Sequence, residues 1–156
     1  MTHKARTFTL VLLLALSLIV VGRTNATSLI NAIVASTEAV LPYITQLSPA
    51  DQALVTAYIN GAVTITDTLL KCGQSVPICV STAVTQFNAL IVPTLSPNVS
   101  PTVRELISVV AVAIAAFVAA EGNVTPVGFS ISDSKKIEFK TRITVVKTKL
   151  GPYLKH

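Results

Sequence analysis

The stretch "KCGQSVPIC" holds the only two cysteines of the chain, Cys72 and Cys79. Two thiols so placed can close a disulfide, ligate a metal or remain free in a core. A C-x6-C spacing is wider than the two to four residues usual between paired zinc ligands, and no histidine lies nearby. An even cysteine count in a chain with an export-like start points first to a disulfide, Cys72 to Cys79. So short a loop would stabilise the fold by about 2.5 kcal/mol on a chain-entropy estimate.

Histidine occurs only as His3 and His156, at the two ends of the chain. The usual general base for a serine or cysteine nucleophile, and the commonest metal ligand, are therefore missing from the body. Glu38, Asp51, Asp67, Glu105 and Glu121 are scattered singly and read as solvated helix-face carboxylates rather than an acid/base pair. The six glycines are dispersed, with no phosphate-cradling or dinucleotide-binding pattern. The expectation is a protein that is not an enzyme, with no catalytic residue, no cofactor and no metal site.

Charge offers a different chemistry. Residues 27–132 carry two basic and five acidic side chains, whereas residues 133–156 carry seven basic and two acidic ones. The overall net charge of +5 thus conceals a weakly acidic body with a basic tail. Within the tail, Lys135, Lys136, Lys140, Arg142, Lys147 and Lys149 are candidates for contact with an anionic surface, such as an anionic membrane. Nucleic acid is the weakest of these partners, since no aromatic residues interleave with the cations. Asn98-Val-Ser and Asn123-Val-Thr are glycosylation sequons at Asn98 and Asn123, in expected loops on either side of one helix; a third, Asn25-Ala-Thr, falls near the start.

The elements that must position these groups are marked by proline. "LSPAD" sets Ser48 as an N-cap, Pro49 at the first helical position and Asp51 at the positive end of the helix dipole; "VSPTVRE" repeats the pattern with Ser100, Pro101 and Glu105. Apolar residues between these marks recur at helical spacing. The first helix shows Ile30, Ile33, Val34, Leu41 and Ile44, with Thr37 interrupting the stripe and Pro42 near its end. The second shows Leu54, Tyr58, Ala62, Ile65 and Leu69, the third Val80, Val84, Phe87 and Ile91, and the fourth runs from Pro101 to Ala120. Threonine and valine are mediocre helix formers, and "AVTITDTLL" also alternates as a strand would, so an all-β fold is the competing reading.

The tail from Ser130 carries two periods at once. Ile137, Phe139, Ile143 and Val145 alternate as a strand, while Phe139, Ile143, Val146 and Leu150 recur as a helix. The helical reading is favoured, capped by Ser132 or Asp133 and ended by Gly151-Pro152. The fold class expected is all-α: a small bundle of four helices in antiparallel hairpins over residues 27–122, then a loop and a basic amphipathic C-terminal helix over 123–156.

Ahead of the bundle, Lys4 and Arg6 precede the apolar run from Phe8 to Gly22, with Thr24 and Ala26 at the −3 and −1 positions of a cleavage site. Residues 1–26 read as a signal peptide, or failing that an uncleaved anchor, and the protein as secreted or periplasmic. A second apolar run, "LISVVAVAIAAFVAA", covers residues 106–120. Its length of about 22 Å falls short of roughly 30 Å of hydrocarbon, and Arg104 and Glu105 stand just before it. It is expected to be the central helix of the bundle.

These readings converge on an exported, non-enzymatic helical protein, a binding or structural module. Its partner would be a protein, or a small apolar ligand lined by Leu54, Ile65, Val84, Phe87, Leu106, Val110 and Phe117. The alternative is a small integral membrane protein with two short spans and a basic cytoplasmic tail, pore- or holin-like in outline only.

Overall fold

Two serine-proline pairs start helices as their chemistry dictates. The computed structural model describes residues 26–72, 76–91, 100–122 and 131–154, and among these every regular element is helical. Five helices follow in order: α1 (Ala26–Ile44), α2 (Pro49–Leu70), α3 (Val76–Ile91), α4 (Pro101–Gly122) and α5 (Asp133–Leu154). Ser48 accepts a hydrogen bond from the Asp51 amide at 3.3 Å, and Ser100 accepts one from the Val103 amide at the same distance. Each satisfies one of the amides that a helix start leaves without an intrahelical partner. The other end of the α1–α2 joint is closed by Gln52, whose Nε2 donates to the Ile44 carbonyl at 3.1 Å.

The directions of the helices can be read from side-chain pairings. Ser100 Oγ donates to Asp51 Oδ2 at 3.4 Å, so α2 and α4 begin side by side and run parallel. Arg142 reaches Glu38 and Asn31 of α1, and Lys147 lies 3.8 Å from Asp67 near the end of α2. The basic helix α5 therefore runs parallel to α2 and antiparallel to α1. It packs on α1 and α2, while α4 packs on α1, α2 and α3, so α4 and α5 cover opposite sides of the α1–α2 pair.

The keystone is α2, which touches all four other helices. The expectation that the apolar run 106–120 would hold the centre is corrected here: α4 buries Val103, Leu106, Val110, Ile114 and Phe117 but leaves Ala115 and Ala119 exposed. Four partners leave α2 with no single inward stripe. Thr56 and Thr66 are fully buried beside Val55, Ile59, Ala62 and Val63, and Leu54, expected to face inward, is 48% exposed in the second turn. Gly61 lets α3 come close, since a Cβ there would stand 3.1 Å from Leu90 Cδ2.

Polar groups inside the bundle are mostly satisfied by their own helices. Ser36 and Thr37 donate to the Ile33 and Val34 carbonyls, and Thr66 to the Ala62 carbonyl. Thr37, which interrupts the apolar stripe of α1, is accommodated in this way without a partner from another helix. Among the described residues two atoms stand apart: Thr56 Oγ1 and Tyr58 Oη are buried with no hydrogen-bond partner there. Burial pushes the Tyr58 phenol up to about 12 from its ordinary 10.0.

The tail resolves in favour of its helical period. Phe139, Ile143, Val146 and Leu150 are all buried, whereas Ile137 and Val145, which a strand would have placed with them, point outward. Ser132 is the N-cap, accepting from the Lys135 amide at 3.3 Å. Gly151-Pro152 does not stop the helix, which continues to Leu154. A proline in the last turn removes one amide hydrogen bond and little else, because the helix ends two residues later, at Leu154.

Candidate functional site

Every cation singled out in the tail lies on α5, and the helix sorts them by angle. The core stripe, Phe139, Ile143, Val146 and Leu150, occupies one face. Lys136, Lys140 and Lys147 follow one edge of that stripe, and Lys135, Arg142 and Lys149, seven residues apart, follow the other. An amphipathic helix lying on a membrane would insert its apolar stripe, but here that stripe is already inside the bundle.

Arg142 is not available for an external anion. Its Nε donates to Glu38 Oε2 at 3.1 Å, a second guanidinium nitrogen donates to Glu38 Oε1, and Nη1 donates to Asn31 Oδ1 at 2.8 Å. The bidentate fork matches the carboxylate, and the hydrogen bond to Glu38 raises the Arg142 pKa above its ordinary value. Arg142 also lies 5.8 Å from the centre of the Phe139 ring, over the stripe that seats the helix. Glu38, read as a solvated carboxylate, is thus half of a latch between α1 and α5. Asn31 gave no signal in the sequence; only the packing of α5 on α1 makes it a partner.

The other cations divide into paired and unpaired. Lys135 bonds Glu138 at 3.0 Å within α5, and Lys147 shares Asp67 with Lys71, whose Nζ stands 2.9 Å from it. Lys136, Lys140 and Lys149 have no acidic partner among the described residues. Between the two cationic rows the outer face of α5 carries Ile137, Thr141, Thr144, Val145 and Thr148, at steps of four, three, one and three residues. Ile137 is 66% and Val145 46% exposed.

The three threonines on this face do not offer their protons to solvent. Their hydroxyls donate to the carbonyls of Ile137, Lys140 and Thr144, four residues back, at 3.0, 2.8 and 2.8 Å. Each is held in a rotamer that bonds its own helix. The exterior of α5 is therefore a β-branched band between two rows of cations.

Cys72 and Cys79 form a disulfide, with their Cα atoms 6.2 Å apart, and both sulfurs are thereby removed from metal binding. The link joins the end of α2 to the first turns of α3. Among the described residues no three metal-ligating side chains converge. Asn98 and Asn123 lie outside the described residues, as does the N-terminal segment up to residue 25; Ala26, expected at the cleavage site, is the buried first residue of α1.

The residues expected to line a ligand space are core. Ile65, Phe87, Leu106, Val110 and Phe117 are buried, and Val84 packs against them. The Phe87 and Phe117 rings meet edge to face at 5.4 Å, the favourable arrangement for an aromatic pair. Leu54 points out at the surface. Comparison of the chain with protein-family models, curated proteins and solved structures yields no match.

Proposed function

We propose that the chain is an exported, non-enzymatic helical bundle that acts by contact, as a binding or structural module. The observation that carries this reading is the exterior of α5, where aliphatic and threonine side chains stand exposed between rows of lysines. Elsewhere three carboxylates have evident structural tasks: Asp51 accepts from Ser100 where α2 and α4 begin, Asp67 pairs with Lys71 and Lys147, and Glu38 with Arg142. The disulfide favours an oxidising compartment, and the apolar start with small residues at Thr24 and Ala26 supplies a route to it.

A membrane-spanning reading also has an observation behind it. Ala26–Ile44, Pro49–Leu70 and Pro101–Ala120 are each long and apolar enough to cross a bilayer. Against it stands the position of α5 along α1 and α2. If those two helices crossed the hydrocarbon, Lys136, Lys140, Lys147 and Arg142 would lie at similar depth, at a cost of roughly 2.5–3.5 kcal/mol for each cation. The water-soluble reading avoids that cost.

Fractionation of producing cells separates the two. The expected result is a soluble extracellular or periplasmic protein whose N-terminus is Thr27. Recovery of the chain from Met1 onward in alkali-washed membranes would replace this reading with the membrane-spanning one.

A further inference from the structure

We infer that the outer face of α5 docks on an anionic lipid bilayer, with Ile137 and Val145 entering the headgroup boundary and the lysines on either side reaching the phosphates. This inference rests on the proposed soluble bundle and names its partner. The sequence points to the other face of the same helix as the inserting one, but Phe139, Ile143, Val146 and Leu150 hold the bundle together. What remains outside is a second stripe, Ile137, Thr141, Thr144, Val145 and Thr148, back to back with the first.

Three features of this face select a bilayer. First, the threonine hydroxyls bond the helix backbone, so little hydrogen-bonding is lost when the band leaves water. Second, the cations flank the band instead of crossing it. Lysine stems can then lie along its edges while their ammonium groups rise to the headgroups, the arrangement of an interfacial helix. A polyanion backbone would be better matched by a continuous cationic track. Third, Lys136, Lys140 and Lys149 have no acidic partner among the described residues, and Lys147 has only a distant one at 3.8 Å. A second copy of the same face is disfavoured by the like charges that would meet along both edges. The acidic groups bordering the face are Glu138, which is bonded to Lys135, and the exposed Asp133 at the helix start.

The test is co-sedimentation of the full chain with vesicles of phosphatidylglycerol and phosphatidylcholine in equal parts, and with phosphatidylcholine alone. The full chain is used as it is recovered from the soluble fraction of producing cells, so the protein tested is the one the proposed function describes. The expected result is binding to the mixed vesicles that salt weakens, with little binding to phosphatidylcholine. Lys136→Ala, Lys140→Ala and Lys149→Ala together should weaken it roughly a hundredfold, from about 1 kcal/mol per lysine near an anionic surface. Ile137→Ser with Val145→Ser should weaken it roughly tenfold. None of these side chains belongs to the core or the Arg142 latch, and circular dichroism should show folded variants.

Equal binding by wild type and the triple-lysine variant, or equal binding to both kinds of vesicle, would overturn the inference. Binding that needs the lysines but is indifferent to Ile137 and Val145, with heparin captured as tightly as vesicles, would overturn it in favour of a soluble acidic partner. A soluble, exported chain that ignores anionic vesicles would remove only this inference. A chain that resists alkali extraction would remove the soluble bundle on which it rests.

Discussion

Helices α4 and α5 have the same length, 22 residues, and opposite chemistry. The first is apolar nearly all round and would pass for a core helix on composition. The second carries six basic residues within the bundle. Yet α4 leaves Ala115 and Ala119 in solvent, while α5 buries Phe139, Ile143, Val146 and Leu150 to 1% exposure or less. The difference teaches that burial follows from one continuous stripe meeting a groove, not from the average of a helix. A helix with apolar residues on every side has more than one face to offer, and here Ala115 and Ala119 are left outside while Ala113 is buried.

The sharpest way to break this comparison is to truncate the stripe of α5. Phe139→Ala should cost about 3–5 kcal/mol in chemical denaturation, the usual range for deleting a fully buried phenylalanine, whereas Ala119→Ser on α4 should change stability by less than about 0.5 kcal/mol. Similar losses at the two sites would mean that α5 is a loosely held appendage. Next in size is the disulfide that fixes α2 to α3. Cys72→Ser with Cys79→Ser should lower stability by about 2.5 kcal/mol while leaving the folded helix content intact by circular dichroism. Intact mass should rise by two hydrogens per chain on reduction of the native protein.

The stripe of α5 was legible because it occupies four positions at helical spacing and the rival strand pattern requires Ile137 and Val145 to share its face. The two caps were legible for a similar reason: Ser-Pro with an acidic residue nearby acts within a single turn. What escaped involves distance along the chain. Glu38 and Asn31 pair with a residue 104 and 111 positions away, and nothing local distinguishes them from solvated polar residues. The keystone role of α2 was hidden too, since Thr56, Thr66 and Gly61 dilute the stripe that a helix with one inward face would show. Leu54 lies outside for the same reason: with four neighbours, α2 has no single inward face. The outer band of α5 was present in the sequence, but its meaning depended on learning which stripe the core had already taken.

Two smaller effects sharpen the comparison further. Arg142→Met keeps the stem over Phe139 but breaks the latch to Glu38 and Asn31. For a partly exposed pair the expected loss is about 1 kcal/mol, and Glu38→Gln in the same background should add little, which a double-mutant cycle reads directly. On α2, Tyr58→Phe should raise stability by about 1 kcal/mol, because it removes a buried hydroxyl with no partner among the described residues. It also tests the sign of a pH effect. The folded-state phenol is raised above its unfolded value, so its contribution is full below pH 10 and is lost as pH climbs toward 12. Thermal melts across that window should fall less steeply for Tyr58→Phe than for the native chain. An equal slope would exclude Tyr58 as a source of alkaline instability.

The direct test of α5 as a full member of the core is native-state hydrogen exchange, resolved along the chain. If α5 is seated as firmly as its stripe indicates, amides between Phe139 and Leu150 exchange with the same protection as those of α2 between Val55 and Thr66, and both lose it together in denaturant. Protection of α5 that collapses at lower denaturant while α2 stays closed would contradict that, and would show a four-helix core carrying a separable basic helix.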